Sequence, residues 1–251
     1  MSATFTYAGK QEVGEVINAA TPQEPVRIAT VNAEFLLEAS HNTAFRKALA
    51  SMTHCTIDGS GPFYVMALWR RLYNLSVLGR YPGADLVDDL FHAYENGEKR
   101  FFLLGGGNNL TEETIQNIQA KFPGLIIAGW DNQEVVDPKQ LTLRPELAER
   151  IIAAKTDILL VGFGAPKQEL WINTAQELAV PVMIGIGGSL GFYTHKKRAP
   201  DILRVIGLEW LYRGLSEPGH WGRVWRAVVV FGIQAFVWIL KTWSLRGNVR
   251  R

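Results

Sequence analysis

A single cysteine, Cys55, stands in the 251 residues, so an internal disulfide is excluded and a reducing compartment is expected. No apolar run approaches the ~20 residues that a membrane-crossing helix needs. The most apolar stretch, Ala227 to Leu240, is already broken by Gly232 and Gln234. The opening Met1 to Tyr7 lacks a basic segment leading into an apolar core, so no signal peptide is expected. Neither kind of charge dominates: 26 Lys and Arg against 24 Asp and Glu leave a net +2, which gives no argument for nucleic acid as a partner. No Gly-Lys-Ser/Thr P-loop ending and no Asp-x-Asp metal motif occurs, nor does an internal repeat or a low-complexity segment. What remains is ordinary for a folded chain, with 47% hydrophobic and 20% charged residues. Its length allows a main domain of about 1–200 and a C-terminal appendage of about 201–251, where basic residues gather and acids thin out.

The most informative stretch is Asp157-Ile-Leu-Leu-Val-Gly-Phe-Gly-Ala-Pro-Lys-Gln-Glu169 with Trp171 after it. Ile158 to Val161 reads as a strand buried on both faces of a parallel sheet. Gly162 and Gly164 permit a tight turn, and Pro166 suits the first turn of a helix running to about Leu178. Such a junction aims backbone N–H groups and a positive helix end at whatever lies beyond the strand, a natural place for phosphate. Lys167, Gln168 and Glu169 stand at that mouth as a cation, an amide and a carboxylate. The plain alternative is an ordinary strand-to-helix turn with a solvated first helical turn.

Other strand ends carry similar chemistry. Val26 to Val31 reads as a strand ending at Thr30 and Asn32, followed by a helix over about 33–52 with an apolar stripe. Thr56-Ile-Asp58-Gly-Ser-Gly61 puts a carboxylate at another strand end, where a turn former or helix cap is the commoner role for Asp beside Gly. Arg80-Tyr-Pro-Gly-Ala-Asp85-Leu leads into a helix over about 84–96, with Asp85 expected as its cap. Arg100 to Leu104 is a strand, and Gly105-Gly106-Gly107 opens a helix over about 111–121. A dinucleotide fingerprint there would need Gly or Ala at position 110, where Leu110 stands, so a nicotinamide oxidoreductase is disfavoured while a generic phosphate cradle survives. Further strands at 125–130 and 181–186, with a helix at 145–154 between them, give an α/β class with a mostly parallel, Rossmann-like sheet flanked by helices.

The last third changes character, with the basic turn Lys196-Lys197-Arg198 and the dense Gly207-Leu-Glu-Trp-Leu-Tyr-Arg213. Read as a helix at 100° per residue, the tail puts Arg223, Arg226, Gln234 and Lys241 on one narrow side, and Trp225, Phe236, Trp238 and Trp243 among the rest. That pattern suits a helix lying in a membrane interface through about residues 222–243, with Arg246, Arg250 and Arg251 adding attraction to anionic lipid. Burial in a core or in a homo-oligomer interface, dimer or trimer, is the competing reading.

Taken in order, Thr30-x-Asn32, Asp58-Gly-x-Gly61, Arg80-x-x-Gly83-x-Asp85-Leu86, Leu103-Leu-Gly-Gly106, Val161-Gly-x-Gly-x-Pro-Lys-Gln-Glu169, Gly187-Gly188, Arg198-Ala-Pro200 and Gly207 to Arg213 resemble the WecG/TagA/CpsF family of bacterial glycosyltransferases, glycosyltransferase family 26. The resemblance covers nearly the whole chain. It implies an inverting transfer of an N-acetylmannosamine-type sugar, or its uronic acid, from a UDP donor to a polyprenyl-diphosphate-linked N-acetylglucosamine. The setting would be the cytoplasmic membrane face, in cell-surface polysaccharide synthesis, with no cofactor and no essential metal.

On that resemblance Asp58 is the expected base, Thr30 and Asn32 position substrate hydroxyls, and Gln168 with Gly162 and Gly164 holds the nucleotide or its sugar. Arg213, Arg223 and Arg226 would offset diphosphate charge. Gly105, Gly106, Lys167, Glu169, Arg80, Asp85 and Arg198 complete the expected binding set. One departure stands out. After Gly188 the family commonly shows a Phe-Asp pair, whereas Ser189 to His195 here contains no acid. Donor choice is thereby left open, and a non-catalytic UDP-sugar-binding or scaffold protein is the alternative from another class.

Overall fold

A computed structural model describes residues 6–72, 79–132, 141–205, 207–216 and 221–237, apart from the side chains of Leu72, Asp201, Val205, Arg213, Ser216, Arg223, Val224, Ala227 and Val228. In chain order the strands are β1 (Thr6–Tyr7), β2 (Val26–Val31), β3 (His54–Ile57), β4 (Arg100–Gly105), β5 (Ile126–Asn132), β6 (Ile158–Gly162) and β7 (Val182–Gly185). The principal helices are α1 (Lys10–Ala19), α2 (Ala33–His41), α3 (Thr43–Ala50), α4 (Ser60–Leu72), α5 (Gly83–Ala93), α6 (Glu112–Lys121), α7 (Pro145–Ala153), α8 (Lys167–Thr174), α9 (Asp201–Val205), α10 (Glu209–Ser216) and α11 (Trp221–Trp225).

The strands make one sheet in the order β1-β3-β2-β7-β6-β4-β5, and every pairing is parallel. Period-two alternation divides their side chains between two cores. Ile28, Leu103, Leu160 and Ile184 face α1, α5 and α6 on one side. Ala29, Leu104, Val161 and Met183 face α2, α3, α7 and α8 on the other. Because both faces are covered, the strands read as near-continuous apolar runs. The crossovers through α1, α5 and α6 step one way along the sheet and those through α2–α3, α7 and α8 step the other way, as a single crossover hand requires. Neighbouring strands β4 and β6 therefore send their helices to opposite faces. A crevice opens between them at the carboxyl edge, where doubly wound sheets take ligands.

Two expectations change, and one helix is added. The helix read over 33–52 is two helices, because Asn42 caps both: its N–H bonds Glu38 O at the end of α2, and its side-chain oxygen accepts from Phe45 N at the start of α3. Asp85 is not a cap; α5 begins after Pro82, and Asp85 lies in its first turn. Residues Ser60–Leu72, to which the sequence reading assigned no element, form the helix α4.

The tail continues from α11 through a π-helical turn at Arg226–Val230 into helix over 231–237. That turn breaks the uniform 100° per residue on which the narrow polar side rested. Phe231 and Ala235 are buried against Ala33, Leu36 and Leu37 of α2 and Val65 of α4. Arg226 and Gln234 face outward amid Trp225, Ile233, Phe236 and Val237. Residues 238–251, with Trp238, Lys241, Trp243 and the final arginines, lie outside the described residues. No helix among the described residues is long and apolar enough to cross a membrane.

Candidate active site

Strand β2 delivers Thr30 and Asn32 to the carboxyl edge. Thr30 is buried, and its hydroxyl donates to Gly185 O at 2.8 Å, tying β2 to the end of β7. The Asn32 side-chain oxygen accepts from Glu34 N at 2.9 Å and Phe35 N at 3.3 Å, capping α2. The cap occupies that oxygen and leaves the amide nitrogen as donor. Asp58 follows β3; its N–H continues the ladder to Val31 O at 2.9 Å, and its Oδ1 accepts from Gly83 N at 3.2 Å. Gly83 fits because a Cβ there would stand 3.3 Å from both Thr30 Oγ1 and Ser189 Oγ. Thr30, Asp58 and Ser189 are thus gathered around one backbone position.

The turns after β6 and β7 are pinned by one amide. Gln168 Oε1 accepts from Gly164 N at 3.1 Å and from Gly187 N at 2.9 Å, while its Nε2 donates to Glu169 Oε1 at 2.6 Å. Gly164 at φ +76° and Gly187 at φ +54° take the left-handed conformation that side chains resist. The solvated first helical turn allowed by the sequence is corrected: Gln168 and Glu169 are 1% and 0% exposed. Burial, opposed in part by the Gln168 hydrogen bond, raises the Glu169 carboxyl from an ordinary 4.5 to about 8. The group read as a carboxylate at the mouth is a neutral acid inside it at pH 7. Lys167, half-buried, begins α8 after a cis Ala165–Pro166 bond.

Gly105 and Gly106 end β4 beside this pair of turns. Gly105 registers with Gly162, whose own Cβ would come 2.9 Å from Gly187 O. A Cβ on Gly105 would lie 2.2 Å from Leu110 Cβ, so the residue that spoils the dinucleotide fingerprint closes over this glycine. Gly105→Ala is expected to destabilise the fold by about 1–3 kcal/mol, because the clash is with the root of a fully buried side chain. A thermal melt of the purified variant checks it.

Arg80, Asp85 and Arg198, three of the expected binding residues, are brought into one cluster together with Arg204. Arg198 Nη1 bonds Asp85 Oδ1 at 2.8 Å, Arg204 Nη1 approaches the same oxygen at 3.6 Å, and Arg80 Nη2 donates to Arg204 O at 2.8 Å. Arg204 and Ser189 were not among the expected residues, and neither was Lys196, whose Nζ caps Gly188 O at 2.9 Å. The basic run 196–198 was the only signal for the last of these. The acid-free loop after Gly188 is tightly closed: a Cβ at Gly191 would meet Asn109 Oδ1 at 2.7 Å and Lys196 Cδ at 3.0 Å. Arg226 is exposed in the tail, while Arg213 and Arg223 lie in α10 and α11 with side chains outside the described residues.

Glycine turns, a strand-end carboxylate and clustered arginines thus lie along one sheet edge. The sequence model described as the Glycosyl transferase WecG/TagA/CpsF family matches residues 4–245. The chain belongs to this family. Among curated relatives, the N-acetylglucosaminyldiphosphoundecaprenol N-acetyl-beta-D-mannosaminyltransferase of Bacillus spizizenii is 32% identical over 199 residues, 78% of this chain and 74% of its own. The enzyme of the same name from Staphylococcus aureus strain MW2 is 32% identical over 201 residues, 79% and 74% of the two chains. Unliganded arylmalonate decarboxylase, a solved structure, covers 70% of this chain and 96% of its own at 14% identity and a TM-score of 0.31, too distant to bear on the argument. Membership in the WecG/TagA/CpsF family makes the chain a glycosyltransferase, and makes the carboxyl edge from Asp58 to Gly105 its candidate active site.

Proposed function

We propose that this glycosyltransferase moves an N-acetylmannosamine-type sugar, or its uronic acid, from UDP to the 4-hydroxyl of a polyprenyl-diphosphate-linked N-acetylglucosamine, with inversion at the anomeric carbon. The names of the relatives support the transferred sugar and the lipid-linked acceptor. The product would be a precursor of a cell-surface polysaccharide, made at the cytoplasmic face of the membrane. The observation that carries the reading is the Asp58 carboxylate, held by Gly83 N at the end of β3 beside the Gln168-pinned glycine turns of β6 and β7.

In this reading Asp58 takes the proton of the attacking hydroxyl as the anomeric bond to UDP opens. Asn32 Nδ2 donates to a substrate hydroxyl, and Thr30 holds the ends of β2 and β7 in register. The turns at Gly162–Gly164 and Gly105–Gly106 face the nucleotide, with Lys167 and the Arg80–Arg198–Arg204 group giving the site its positive side. Gln168 acts through the two turns it pins, and Glu169 through Gln168. Arg213, Arg223 and Arg226 of the 201–251 appendage stabilise the departing diphosphate without a metal, once residues 222–243 settle on the membrane.

The test is UDP release by purified protein in detergent, with a lipid-diphosphate N-acetylglucosamine analogue, a panel of UDP-sugars and a chelator arm. Acceptor-dependent release from UDP-N-acetylmannosamine or its uronate is expected, unchanged by chelator. Release from a different UDP-hexose alone would move the donor. Thermal protection by UDP with no release from any pair would make the chain a binding protein instead.

A further inference from the structure

Helix α4 is out of place for a buried sheet protein. It leaves the candidate site at Ser60, immediately after Asp58 and Gly59, and eight of its thirteen residues, Ser60–Leu72, are apolar or aromatic. Yet among its described side chains none joins either main core as a buried apolar residue, and Val65, partly buried, packs with the Ala33, Phe231 and Ala235 cluster. Tyr64 and Leu68 are 55% and 49% exposed, and Arg71 is exposed as well. Positions 64, 68 and 71 fall on one helical stripe.

The helix that carries this stripe packs against the tail through Val65. The 231–237 helix lies against α4 and the start of α2, and it leaves Ile233, Phe236 and Val237 outward, with Trp221 and Trp225 exposed in α11. The corner between α9 and α10 borders the same stripe at its Tyr64 end, since a Cβ on Gly207 would stand 3.0 Å from Tyr64 Oη and 3.1 Å from Ser60 Cβ. Across α4 and residues 221–237 there are four arginines, Arg70, Arg71, Arg223 and Arg226, and no acid. Exposed Trp and Tyr beside aliphatic side chains, with cations and no carboxylate, complement the headgroup region of an anionic bilayer.

We infer that α4 is itself a membrane-contacting element, and that its Tyr64, Leu68 and Arg71 stripe enters the anionic lipid interface together with the tail helix. The inference rests on the reading that the acceptor is lipid-linked, and it gives that reading a geometry: the helix that dips into the interface begins two residues after Asp58. The acceptor's diphosphate sugar would then meet the carboxyl edge without leaving the membrane surface.

The test uses the full chain with vesicles of phosphatidylglycerol and phosphatidylcholine, against phosphatidylcholine alone. Leu68→Glu is expected to weaken partition to the anionic vesicles on the order of tenfold, the loss of one buried leucine at the interface. Its thermal midpoint and its UDP release with a water-soluble acceptor should match wild type. Because Cys55 is fully buried, Leu68→Cys carries the accessible thiol for a polarity-sensitive dye, and Gln23→Cys, exposed before the amino end of β2, is the control. Dye at 68 should shift to the blue on anionic vesicles and dye at 23 should not. No shift at 68 while Phe236→Glu still abolishes partition would overturn the role of α4 and leave the tail reading standing. A change of oligomeric state in Leu68→Glu with unchanged partition would assign the stripe to a second copy and equally overturn it. No vesicle partition by wild type would sink both membrane readings, while UDP release would still report on the transferase.

Discussion

Asp58→Asn is expected to lower acceptor-dependent transfer on the order of 10²–10⁴-fold in kcat, the range that a lost general base commands. The substitution is close to isosteric, and the bond from Gly83 N to Oδ1 survives it, because an amide oxygen accepts there equally well. The ladder bond from Asp58 N to Val31 O is a backbone bond and is untouched. What disappears is the capacity to take a proton. The thermal midpoint and the donor KM should therefore stay near wild type while kcat falls. Asp58→Ala separates the two effects, because it also strips Gly83 N of its acceptor and should cost about 1–3 kcal/mol of stability. Steady-state UDP release and a thermal melt on both variants make the check. If Asp58→Asn kept a tenth or more of wild-type kcat, the base would have to be another group at this edge.

Much of this edge was legible because parallel strands announce themselves. Ile158 to Val161 and Arg100 to Leu104 could be nothing else in a chain with helices between them, and glycines at their carboxyl ends marked the turns. The sheet is fully parallel because every crossover carries a helix, as the alternation implied. The exceptions have particular causes. Asn42 looked like an interior residue of one helix, but an asparagine can end one helix and begin the next with the same side chain. Asp85 followed a turn, as caps do, but Arg198 draws its carboxylate from far along the chain, a pairing that no local pattern records. Gln168 and Glu169 are polar and open a helix, so the expectation was solvent; their burial follows from β7, whose Gly185 leaves room for both. A Cβ there would stand 2.7 Å from Gln168 Nε2 and 2.8 Å from Glu169 Oε1. Helix α4 was missed for the opposite reason: its apolar residues run around the helix rather than along one face, because little of it packs against the core.

Glu169→Gln should gain stability relative to wild type as the pH rises, and be the more stable protein above pH 8. The wild-type carboxyl is fully buried, with Oε1 bonded to Gln168 Nε2 and Oε2 without a hydrogen-bond partner among the described residues. Its neighbour Cys55 offers no relief, since burial first and the Glu169 charge second push that thiol up to about 12. Between an ordinary 4.5 and about 8 the folded protein keeps the proton that the unfolded chain gives up. Stability must then fall as pH climbs through that window, with no penalty below it and the full penalty above it. At 1.36 kcal/mol per pKa unit the full penalty is on the order of 5 kcal/mol, an upper bound for a site that can relax. Glutamine keeps the oxygen that accepts from Gln168 and cannot ionise, so it escapes the penalty but carries a fixed cost for an unpartnered amide N–H of about 1–3 kcal/mol. The two terms have different signatures. Denaturant melts of both proteins from pH 4.5 to 9 should show the variant equal or weaker at the acid end and stronger above pH 8, the difference growing with pH in between. A difference that did not change with pH would mean that the fold supplies Glu169 with a compensating charge. The Gly164–Gln168–Gly187 clamp would then rest on an ion pair instead of on a neutral acid.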